Sequence, residues 1–144
     1  VTLGSNVQVL EEAALKNIAI SSITLPSSLT TIEARVFEKD KNLTSITIPN
    51  KVTSIGYCAF WECSNLKTVV IGSSVSKISQ CAFLDTALTS ATFNTTSGWY
   101  IGDSEGTKTT SVNVSNTSLI VFTNGFWNDY SLNFITFCSY SFFP

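Results

Sequence analysis

The sequence predicts a solenoid, a stack of short parallel strands wound by a recurring unit, and three observations predict it. A set of apolar positions, Leu43, Ile46, Ile48, Val52, Ile55, Ala59 and Phe60, recurs forward as Leu66, Val69, Ile71, Val75, Ile78, Ala82 and Phe83. It recurs backward as Ile20, Ile23, Leu25, Leu29, Ile32, Val36 and Phe37. The leading positions Ile20, Leu43, Leu66 and Leu88 lie 23, 23 and 22 residues apart. Each full copy also carries a proline or glycine just after its first strand, at Pro26, Pro49 and Gly72. One copy alone buries too little apolar surface to offset the entropy of ordering its backbone, so copies must stack and both ends need covering.

The elements follow in chain order. Residues 1–19 form a partial copy with Leu3, Gly4, Val7, Leu10, Ala14 and Leu15, in which Glu11 to Lys16 are expected to make a short helical turn. First strands are expected around Ile23 to Leu25, Ile46 to Ile48, Val69 to Ile71 and Ala91 to Phe93, side by side at about 4.8 Å. A second line of extended segments is expected at Ile32, Ile55 and Ile78, followed in each copy by a turn of helix bearing the phenylalanine, a side chain large enough to fill the space between layers.

Alternation along a strand turns Ile46 and Ile48 inward and Ser45 and Thr47 outward. Over the array the outward set is Thr2, then Ser22 and Thr24, Ser45 and Thr47, Thr68 and Val70, Ser90 and Thr92. These residues are the candidate binding face, neutral and rich in hydroxyls; the same residues also suit a strand that merely faces water.

The spacing falls in the range of leucine-rich repeats. The run from Leu43 to Leu66, L-T-S-I-T-I-P-x-x-V-T-S-I-G-x-C-A-F-x-x-C-S-N-L, resembles the BspA-like leucine-rich repeat family, and the likeness covers residues 1–93. It rests on the I-P or I-G pair after the strand, the A-F pairs Ala59–Phe60 and Ala82–Phe83, and Cys63; the Asn ladder of the generic leucine-rich pattern is not followed. The resemblance implies a right-handed solenoid, short helical turns on its convex side, in a cell-surface or secreted protein that binds other macromolecules without catalysis. Its partner would be a host or extracellular-matrix protein, or a glycan. The alternative is a structural spacer or anchor segment of a larger surface protein, with no binding site of its own.

From Asn94 the repeat wording stops, and residues 94–144 are assigned to a β-rich C-terminal cap and tail, leaving 1–93 as the repeat domain. Strand-like stretches stand at Trp99 to Ile101, Ser111 to Val114 and Leu119 to Thr123 between Gly, Asp and Asn turn signals. The pieces S-G-W-Y and S-V-N-V-S-N resemble the segment that closes arrays of this family. Residues 131–144 carry no charge. Val1 to Leu3 already lie inside a repeat strand, and no Met precedes them, so the sequence reads as part of a longer array.

Composition narrows the function further. Charged residues make up only 12% of the chain, the net charge is −2 and no basic cluster exists, which argues against a nucleic-acid partner. No apolar run reaches the 18 or so residues of a membrane-spanning helix. The absence of histidine removes the usual general base and the commonest metal ligand. No catalytic residue, metal site or cofactor is therefore expected. Glu11 and Glu33 hold equivalent repeat positions, and two carboxylates alone make a poor cation site.

Cys58 and Cys81 also hold one repeat position, about 5 Å apart in a stack, and read either as two buried thiols or as a disulfide. Asn42, Asn94, Asn113 and Asn116 each head an Asn-x-Ser/Thr sequon. Trp99, Tyr100, Phe126, Trp127 and Tyr130 read as cap core or as a carbohydrate-stacking platform.

Overall fold

The computed structural model describes residues 1–79 and 81–94 in full and, beyond them, the backbone of 99–102 and 108–112. The sequons at Asn113 and Asn116, the stretch Leu119 to Thr123, Cys138, the tail 131–144 and the side chains of the aromatic group lie outside the described residues.

Among the described residues there are nine strands: β1 (Val9–Leu10), β2 (Thr31–Ile32), β3 (Ser45–Thr47), β4 (Ser54–Ile55), β5 (Thr68–Ile71), β6 (Lys77–Ser79), β7 (Ser90–Phe93), β8 (Trp99–Gly102) and β9 (Lys108–Val112). They form two sheets. One runs β1-β2-β4-β6-β8-β9 and the other β3-β5-β7. Every pairing from one copy to the next is parallel and advances by the repeat: Ile32 pairs with Ile55 and Ile55 with Ile78. β8 continues the first ladder in parallel on β6, and β9 then pairs antiparallel with β8.

Three of the four expected first strands, those about Ile46, Val69 and Ala91, and the second line at Ile32, Ile55 and Ile78 are thus present, and the chain is a leucine-rich repeat solenoid; the strand expected at Ile23 to Leu25 is reduced to the single bridge of Thr24 with Thr2. The core fills the space between the sheets, with Leu43, Ile48, Val52, Ile55, Phe60 and Leu66 essentially inaccessible, and their counterparts in the neighbouring copies nearly so. Phe37, Phe60 and Phe83 form a column, ring centroids 5.0 and 4.9 Å apart and planes tilted by 8° and 4°. The centroid spacing matches the rise from strand to strand, so each ring takes the next as the roof of its own layer. The large apolar side chains left exposed, Val1, Val9 and Ile18, all belong to the partial first copy, whose outer side has no neighbour among the described residues.

The third side of each coil departs from expectation. Helical turns were predicted there, and no helix occurs among the described residues. Non-glycine residues sit in the left-handed region instead, two at matching places in each copy (Ala13 and Asn17, Arg35 and Lys39, Cys58 and Glu62, Cys81 and Asp85) and Ala19 besides in the first, all with φ between 53° and 66°. The physical reason is where the amides go. The N–H groups of Arg35, Phe37 and Lys39 donate to the carbonyls of Tyr57, Ala59 and Trp61 in the next copy at 2.8 to 2.9 Å, while those of Glu38 and Asp40 close local turns onto Arg35 and Phe37. An α-helix would spend every N–H four residues back within its own segment. Left-handed backbone costs about 1–2 kcal/mol per residue, and the stack offsets it by making this side a third ladder between copies.

Hydroxyls brace the stack as well. Thr30 Oγ1 donates to Gln8 O at 2.9 Å, and Thr53 and Ser76 repeat the contact onto Thr30 O and Thr53 O at 3.3 Å. Part of the Ser and Thr content is therefore structural.

Cys58 and Cys63 are free thiols, and Cys81 is disulfide-bonded to neither, so of the two readings the Cys58–Cys81 bridge does not form, and the pair of buried thiols holds for Cys58 alone. Side chains at one position of parallel coils point the same way, which places their sulfurs side by side rather than facing. Cys63 Sγ donates to Phe37 O at 3.0 Å, and burial pushes its pKa up to about 12. It is an inert filler, as burial also makes Cys58.

Candidate functional site

The outward residues of the first-strand sheet line up across the copies. Ser45, Thr68 and Ser90 form one row, and Thr47, Val70 and Thr92 the next, fixed by the parallel registers of β3, β5 and β7. Inward residues between them, Ile46, Val69 and Ala91, are buried. Ser45, Thr47 and Thr68 are exposed, while Val70, Ser90 and Thr92 are half-buried. Ser22 and Thr24 extend the face and are exposed; Thr24 makes a single parallel bridge with Thr2.

A shallow groove of about 570 Å³ runs between the Ser22–Leu25 segment and β3 and continues to Pro49, Asn50 and Lys51. A second of about 450 Å³ lies between that segment and residues 1–3. The side chains lining both are uncharged except for Lys51. Such a surface can offer hydroxyls and backbone groups as hydrogen-bonding partners, together with the edges of Ile23 and Leu25. It holds no paired nucleophile and base.

The charged groups collect elsewhere, on the third side of the coil. Lys16 Nζ meets Glu38 Oε1 at 2.9 Å, Arg35 Nε lies 3.7 Å from Glu38 Oε2, and Lys39 Nζ lies 3.8 Å from Glu62 Oε1. Arg35 lies over the Tyr57 ring at 6.0 Å and Lys39 over the Trp61 ring at 5.3 Å, with Trp61 Nε1 donating to Asp85 Oδ2 at 3.1 Å. This flank was not read from the sequence. Its signal was there: Arg35 precedes Tyr57, and Lys39 precedes Trp61, by 22 residues, one short of the 23-residue coil, which puts each aromatic next to the place its cation holds one copy on. The Glu11 and Glu33 positions do neighbour each other, but Glu33 Oε2 accepts from the N–H of Glu12 at 3.0 Å. Among the described residues no group of three or more His, Cys, Asp or Glu could hold a metal ion.

Asp40 is the other group that sequence reasoning passed over. It holds the place that Cys63 holds one copy later and is wholly buried. Burial raises its pKa above the ordinary carboxylate value, against the opposing effect of the amides of residues 18 to 20, and Ile20 N–H donates to its Oδ1 at 3.4 Å. Its Oδ2 has no hydrogen-bond partner.

A raised folded-state pKa means that the neutral acid is the form the fold favours. Its contribution to stability is complete below the ordinary carboxylate value and is lost as pH climbs through the raised one. Asp40→Asn is therefore expected to stabilise the array near pH 7 by about 1 kcal/mol, the order of the cost of one buried unsatisfied polar atom. That gain should vanish towards about pH 4. Urea midpoints of both proteins across that range provide the check, and a gain independent of pH would show that Asp40 is not the group titrating.

Comparison with known families now joins the geometry. The family model described as the BspA type leucine rich repeat region (6 copies) matches residues 1–104 and, in an overlapping placement, 36–142. No curated protein and no solved structure matches the chain. The repeat spacing, the parallel registers, the phenylalanine column and a family match that spans nearly the whole sequence agree: the chain belongs to the BspA-type leucine-rich repeat family.

Proposed function

We propose that the protein is a cell-surface or secreted protein-binding module, an adhesion domain that engages its partner through the strand face of the repeat array. Residues 1–93 supply the array and 94–144 its cap. The observation that carries the reading is the pair of aligned outward rows, Ser45–Thr68–Ser90 and Thr47–Val70–Thr92, which offer hydroxyls along a rigid sheet outside the packed core. A neutral face of this kind suits a host or extracellular-matrix protein, or a glycan carried on one, and not a polyanion. No helix among the described residues is long and apolar enough to cross a membrane. The absence of histidine and the lack of any nucleophile paired with a base on the face favour binding over catalysis.

The test is binding to immobilised extracellular-matrix proteins and host-cell surfaces by the folded protein and by a Thr24→Glu, Thr47→Glu, Thr92→Glu variant. Three carboxylates on a neutral face add desolvation cost and repulsion to any contact made there, so saturable binding is expected to fall by about ten-fold or more. Unchanged binding by the folded variant would place the partner on another face. Failure of the unmodified protein to bind any of these surfaces would make the array a spacer.

A further inference from the structure

The two sheets of the solenoid are not equally continuous. β1, β2, β4, β6 and β8 pair without a break. On the strand face the ladder of β3, β5 and β7 stops at β3, and pairing resumes only one copy further back, as the single bridge between Thr24 and Thr2. Between Ile23–Leu25 and β3, no strand pairing or backbone hydrogen bond is present among the described residues.

The alternation of a parallel ladder says which groups this leaves unmet. Within β3 and its flanks, even-numbered residues carry the bonds to β5: Thr44 O accepts from Lys67 N–H at 2.9 Å and Ile48 N–H donates to Val70 O at 2.8 Å. Ser45 and Thr47 therefore aim N–H and C=O the other way, towards the preceding copy. One repeat back, Ile23 and Leu25 hold the positions of Ile46 and Ile48 and aim theirs towards β3 by the same rule. The interruption thus lines both walls of one groove with backbone donors and acceptors. Ile23 shows the same opening in its side chain, half-buried where its counterparts Ile46, Val69 and Ala91 are buried.

The groove's volume of about 570 Å³ lies inside the range of pockets that hold small ligands. Its one cation, Lys51, is exposed, has no ion pair among the described residues, and stands at the end towards which both walls run.

We propose that this groove binds an extended polypeptide segment running parallel to β3, its backbone bonded to the free N–H and C=O groups of Ser45 and Thr47 and its C-terminal carboxylate at Lys51. Alternating donors and acceptors at strand spacing are the pattern another peptide backbone satisfies along its whole length, the physics of β-strand addition. The proposal rests on the strand-face reading and narrows its partner to a polypeptide terminus.

The test pans a random hexapeptide library with free C-termini against the folded protein, then titrates a selected peptide, as the acid and as the C-terminal amide, into isotope-labelled protein followed by NMR. Saturable shifts are expected at the amides of Ile23, Leu25, Ser45 and Thr47. Amidation of the peptide and Lys51→Gln should each weaken binding by roughly two- to five-fold, the worth of one exposed ion pair. Lys41→Gln, which removes an exposed lysine outside the groove, should leave peptide binding intact.

A library that yields no binder, shifts centred elsewhere on the protein, or equal affinity of acid and amide forms would overturn the proposal. The two readings fail separately. Matrix binding without peptide binding refutes the groove alone, and peptide binding without matrix binding refutes adhesion while leaving the groove in place.

Discussion

Phe60→Asp is expected to leave the protein unfolded, or nearly so, at 25 °C in the absence of denaturant. Phe60 is wholly buried and is the middle ring of the column, stacked on Phe37 at 5.0 Å and Phe83 at 4.9 Å. Truncating a buried phenylalanine costs about 3–5 kcal/mol. The aspartate adds a carboxylate with no partner in an apolar layer. The sum rivals the whole stability of an ordinary domain, about 5–15 kcal/mol. In a solenoid the damage does not stay local, because each copy is stable only against its neighbours. The expected result is loss of the β-sheet circular-dichroism signal together with loss of the cooperative urea transition. Phe60→Leu, which keeps an apolar side chain in the layer, should retain both with a lowered midpoint. An unchanged midpoint for Phe60→Asp would show that the column is not core.

That column was legible in the sequence because a repeat writes its core many times. Phe37, Phe60 and Phe83 stand 23 residues apart, and a side chain recurring at the period of the coil must meet its own copies. The second line at Ile32, Ile55 and Ile78 was legible for the same reason, as was the outward setting of Ser45 and Thr47. The third side was not. Arg35, Cys58 and Cys81 have nothing in common except their position, yet all adopt φ near 55°, because the stack and not the residue type dictates the backbone there. Asp40 was passed over because a carboxylate in a cysteine's place breaks the pattern instead of repeating it. The interruption beside β3 left no trace either: Ile23, Thr24 and Leu25 match the apolar and polar order of Ile46, Thr47 and Ile48, and hydrogen bonds that fail to form between matching segments change no letter.

Gly72 separates what the repeat pattern tolerates from what this structure tolerates. Its position is the one held by Pro26 and Pro49 in the preceding copies, so by pattern alone proline would be the restoring change. The packing says otherwise. Gly72 is buried, and a Cβ there would collide with the carbonyl group of Pro49 and with Ile48 O, all of them main-chain atoms. Main chain cannot rotate aside as a side chain can, so the clash must be relieved by moving one copy against the next. Gly72→Ala and Gly72→Pro are both expected to destabilise by about 1–3 kcal/mol or more, the range for overpacking a dense interior. Gly4 is the control. A Cβ there meets only Val7 Cγ2, at an ordinary 3.9 Å, so Gly4→Ala should be neutral or stabilising by up to about 1 kcal/mol through the unfolded chain. Urea midpoints of the three variants decide the matter. If Gly72→Pro matches or exceeds the unmodified protein, the close approach of the two copies at Pro49 is wrong and the family pattern is the better guide. If it falls together with Gly72→Ala while Gly4→Ala does not, the glycine is there because the coil above it has come too close for any side chain.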